Sequence, residues 1–71
     1  MVDTKKLKGL FVERGFNQRK IANMIGISEA TMYNKMRLGV FGTDEMVAIA
    51  DILCMNEAEK LNIFFARKDT F

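Results

Sequence analysis

The stretch QRKIANMIGISEATMYNK, residues 18–35, decides how this 71-residue chain folds. Its apolar residues Ile21, Ala22, Ile25, Ile27 and Met32, followed by Met36, recur at the three-and-four spacing of a helix, and Gly26 interrupts them. Glycine reaches positive φ without a side-chain clash, so Gly26 predicts the end of one helix and a sharp turn into the next. Ala22 places a small side chain where the second of these helices must pass close; a bulky residue there would push them apart. Ile25 and Ile27 flank the glycine and anchor the turn, while Met32 and Met36, four apart, hold the following helix by one side. The opposite side, Ser28, Glu29, Ala30, Tyr33, Asn34 and Arg37, faces outward and is small, polar and basic.

Working outward, the caps divide the whole chain into helices. Asp3 caps a first helix running to about Arg14, with Val2 and Leu7 as a hydrophobic staple and Gly15 as its stop. Asn17 caps a second to about Ile25, with Phe16 and Ile21 as the staple. Ser28 caps a third to about Arg37, with Ile27 and Met32 stapled and Gly39 as the stop. Thr43 is expected to cap a fourth, with Asp44 and Glu45 placed well against its dipole. Asn56, with Glu59 three residues on, reads as the capping box of a fifth helix to about Arg67. The absence of proline and of two-residue alternation agrees with an all-α chain forming one domain over residues 1–71. The expected core takes Leu7, Leu10 and Phe11; Ile21, Ala22 and Ile25; Met32 and Met36; Val47, Ala50 and Leu53; Leu61 and Phe65, with Phe41 plugging the bundle from a loop.

Composition narrows the function. There is no histidine, which removes the commonest general base, and the carboxylates form no recognisable pair, so the chain is not expected to be an enzyme. A single cysteine, Cys54, allows no internal disulfide and is expected to be a small buried hydrophobe; with no histidine a zinc site would lack its usual ligand set, and no metal, cofactor or small-molecule ligand is expected. No apolar run approaches a membrane span, and the opening MVDTKKLKGLFVERGF lacks the hydrophobic segment of a signal peptide, so the expected compartment is the cytoplasm. The net charge of +2 conceals an asymmetry: residues 1–37 carry eight basic and three acidic groups, residues 38–71 three basic and six acidic. Such a division suggests that a polyanion faces the first half.

Gln18 opening a helix, Ala22 four on, Gly26 four further, and apolar residues at 21, 25, 27 and 32 together resemble the helix-turn-helix of the lambda Cro/repressor-like (XRE-type) regulators of phages and bacteria. The likeness covers about residues 17–37, and FGTDEMVAIADILCMNEAEKLNIFFA resembles the fourth and fifth helices of small regulators from phages of Gram-positive bacteria. What the resemblance implies is a five-helix lambda-repressor-like fold whose third helix enters the major groove of double-stranded DNA. Glu29, Ala30, Tyr33 and Asn34 would then face base edges: Asn34 suits adenine, Ala30 a thymine methyl and Glu29 a cytosine amino group. Asn17, Gln18, Arg19, Ser28, Thr31, Lys35 and Arg37 would face phosphates.

The function expected from this likeness is a Cro-like repressor acting in a phage lysis/lysogeny switch within a bacterial host cell, working as a homodimer on its operator. Ile63, Phe64 and Phe71 give the carboxyl end more apolar surface than one buried stripe needs, and form the expected dimer or partner surface. Glu29, the low net charge and those aromatics also suit an alternative, an antirepressor or modulator that docks on a phage repressor protein through the same scaffold.

Overall fold

A computed structural model describes residues 1–66 of the chain. Five α-helices follow one another, α1 (Thr4–Glu13), α2 (Gln18–Ile25), α3 (Glu29–Leu38), α4 (Thr43–Leu53) and α5 (Glu57–Phe64), and the described residues contain no strand. α2 packs against α3 and α4, and α1 against α5.

Four of the five helix starts are capped by the expected side chain. The Asp3 carboxylate accepts from the Lys6 N–H at 3.1 Å, Asn17 Oδ1 from Lys20 at 2.8 Å, Ser28 Oγ from Thr31 at 3.1 Å and Asn56 Oδ1 from Glu59 at 2.8 Å. Each satisfies a backbone donor that the first helical turn leaves without a partner. The fourth start differs: Gly42 is the N-cap and Thr43 is the first helical residue. A glycine has no side chain to cap with, and Glu45 compensates by reaching back to accept from the Gly42 N–H at 2.7 Å. At the other ends, Gly26 and Gly39 take φ of 81° and 71° and close α2 and α3 in the left-handed conformation.

One hydrophobic cluster draws on all five helices: Leu7, Leu10 and Phe11; Ile21 and Ala22; Met32 and Met36; Ile49, Ala50 and Leu53; Ile63 and Phe64. Val2, Phe41 and Met55 complete it from the connections. Ile25 is half-buried and packs against the cluster from outside.

The last two helices are rotated relative to expectation. On α4, Ile49 is buried and Val47 is 57% exposed. On α5, Ile63 and Phe64 are each only 5% exposed, whereas Leu61 and Phe65 face solvent. The expected partner surface at Ile63 and Phe64 is therefore corrected to core, and Phe71 lies outside the described residues. The Asp3 N–H donates to the Ile63 carbonyl at 2.7 Å, which holds the end of α5 against the start of α1 and fixes this rotation. Cys54 is likewise corrected: it is exposed, and its φ of 53° makes it the left-handed cap of α4. α5 ends at Phe64, short of Arg67.

Arg14, one of the eight basic groups of residues 1–37, turns inward. Its guanidinium donates to the Leu53 carbonyl at 2.6 Å and to Glu59 Oε2 at 2.6 Å, closing the end of α4 and tying α1 to α5. Glu59 is held below the ordinary carboxylate range, first by the Asn56 N–H and then by the Arg14 guanidinium.

Candidate nucleic-acid interface

The corner between α2 and α3 determines what α3 presents. Ala22 is buried against it, the Ile27 N–H donates to the Ala22 carbonyl at 3.0 Å, and Gly26 turns the chain in between. Met32 and Met36 are buried on the inner side of α3. Glu29, Ala30, Tyr33 and Asn34 are all exposed on the outer side, Tyr33 by 62%. The four residues expected at base edges thus share one free surface.

The residues expected at phosphates divide. Asn17 and Ser28 are exposed, but each side-chain oxygen already accepts from its own helix, and the Ser28 hydroxyl also donates to Thr31 Oγ1 at 2.9 Å. Gln18 is half-buried at the start of α2, with its backbone in the first turn. Arg19 is exposed and lies 3.7 Å from Glu29, across the corner. A pair so open to water contributes about 0–1 kcal/mol, so either partner exchanges readily for another, but together the two present no net charge. Lys35 does not point outward: its ammonium lies 3.2 Å from Glu45 of α4, with both side chains mostly covered. It ties α3 to the start of α4. Arg37 is exposed, and among the described residues it has no carboxylate within ion-pair distance.

Sequence patterning missed the contribution of α1. Thr4, Lys5 and Lys8 line a cleft of about 300 Å³ together with Gln18, Tyr33, Met36 and Arg37. The three-residue spacing of Lys5 and Lys8 places them on one helix face, and that much was available in sequence. Their proximity to Tyr33 and Arg37 depends on how α1 lies against α3.

Comparison with protein-family models, with curated proteins and with solved structures finds no match for this chain.

Proposed function

We propose that the chain is a sequence-specific DNA-binding transcription regulator, built on a lambda-repressor-like helix-turn-helix, in which α3 lies in the major groove as the recognition helix. The observation that supports this most is the outer side of α3: four adjacent residues with mixed donor, acceptor and apolar chemistry, free of the core, on a helix braced from behind by Met32, Met36 and the Lys35–Glu45 pair. Asn34 offers an amide that pairs with adenine, Ala30 a methyl contact for thymine, and Glu29 an acceptor for cytosine once Arg19 swings from it to a phosphate. The Cro-like role in a phage lysis/lysogeny switch rests on the family resemblance.

A gel-shift series against the DNA flanking its own gene tests the proposal. Wild type retards a specific fragment, and Asn34→Ala lowers discrimination at one base pair by about 1–3 kcal/mol while leaving non-specific affinity in place. Absence of retardation on every duplex at low salt overturns it.

Two copies would read two half-sites about 34 Å apart. The surface proposed for their contact is the groove between α4 and α5, where Val47 and Phe65 stand exposed beside Met46, and Asp51 and Lys60 line the same groove without pairing to each other. Leaving a valine and a phenylalanine in water forgoes about 1.5–3 kcal/mol each, which a second copy recovers. In a two-fold contact Asp51 of each copy can meet Lys60 of the other, so the groove is complementary to itself. The same apolar groove supports the second reading, a modulator that docks on a phage repressor protein; a shift in gel filtration with that repressor, and none with DNA, would favour it.

A further inference from the structure

We propose that the cleft between α1 and α3 is a phosphodiester track for the backbone of double-stranded DNA, with Lys5, Lys8 and Arg37 as its cations. The proposal rests on α3 being the groove-entering helix, and it moves the main phosphate contact away from the α2–α3 corner.

The distribution of paired and unpaired charge is what relocates it. Lys35 is matched by Glu45 and Arg14 is bound to Glu59 and the Leu53 carbonyl, while Arg19 and Glu29 form an open pair that adds no net charge at the corner. Lys20 sits over the Phe16 ring, 5.6 Å from its centre. Among the described residues, Lys5, Lys8 and Arg37 have no carboxylate within ion-pair distance, and all three line one cleft. No acidic residue lines that cleft, and the side chains beside the cations, Thr4, Gln18 and Tyr33, can all donate hydrogen bonds. An adjoining cleft continues past Met1 and shares Thr4, Lys5 and Arg37. Its one carboxylate, Asp3, is occupied by the Lys6 N–H.

Three cations spread over two helices suit a row of phosphates better than a single small anion, which needs its donors converging on one point. Tyr33 connects the track to the base-facing surface, since it lines the cleft and stands beside Asn34 on α3. A duplex that receives α3 in its major groove would lay one strand along α1.

The test is a titration of the full chain with a mixed-sequence duplex of two helical turns at several sodium chloride concentrations. Replacing both lysines, Lys5→Gln with Lys8→Gln, makes the slope of log affinity against log salt shallower by about 2 for each bound copy, and each single variant by about 1 per copy. Lys5→Arg with Lys8→Arg restores the wild-type slope. A wild-type slope in the double glutamine variant removes the track but leaves α3 as the reading helix. Failure of the wild type to bind any duplex at low salt removes both.

Discussion

At Gly26 a methyl group would meet nothing within 4 Å, whereas at Gly39 it would come to 3.1 Å from both Met1 Cγ and the Val2 carbonyl oxygen. Both glycines have positive φ, so alanine at either carries the left-handed strain of about 1–2 kcal/mol. At Gly26 that is the whole effect. At Gly39 the methionine side chain can move, but the Val2 backbone is pinned by its own N–H, which donates to the Gly39 carbonyl at 3.0 Å. Gly39→Ala is therefore expected to destabilise more than Gly26→Ala, as measured by urea midpoints; an equal or smaller effect would contradict the contact between the start of the chain and the end of α3. Gly26 was legible in sequence because its neighbours reveal its function as a turn. The exposed left-handed Cys54 was not, since cysteine is ordinarily a buried residue and nothing adjacent marks it as a cap.

Caps were the most legible feature of the elements, because a cap acts over three residues and needs no knowledge of the rest of the fold. Helix rotation was less so. The run LNIFFA offers two apolar stripes, Leu61 with Phe65 or Ile63 with Phe64, and spacing alone favours the first. The second is buried because the start of α1 bonds to the end of α5, a contact between residues sixty positions apart. Pairing across elements was hidden for the same reason, so Lys35 was expected at a phosphate and Arg14 counted toward the positive charge of the first half. Arg14 gives α5 a measurable acid response. With its folded-state pKa lowered by the Asn56 N–H and Arg14, Glu59 contributes stability above the pKa of the unfolded chain, and that stability is lost as pH falls through the folded value. Acid titration of thermal stability should show this loss in wild type and a shallower dependence in Glu59→Gln.

Across the whole molecule, the positive first half seen in sequence resolves, among the described residues, into cations without a carboxylate partner on α1, at Lys20 of α2 and at the end of α3, while the apolar excess gathers between α4 and α5. If that excess joins two copies, Val47→Asp should shift sedimentation from dimer to monomer without unfolding the chain, because Val47 is not in the core. Unchanged sedimentation of a dimeric wild type would place the contact elsewhere. Both features were only partly legible: composition and order along the chain carry the sign of a charge, not the carboxylate that a fold brings beside it. The start of the chain links these regions. The Val2 N–H bonds to the Gly39 carbonyl, the Asp3 N–H to the Ile63 carbonyl, and Met1 lines the cleft that holds Lys5 and Arg37. Anything joined ahead of Met1, such as an affinity tag or a fluorescent reporter, would emerge into that cleft and obstruct it, so a silent amino-terminal fusion should not be taken as evidence of an inert protein.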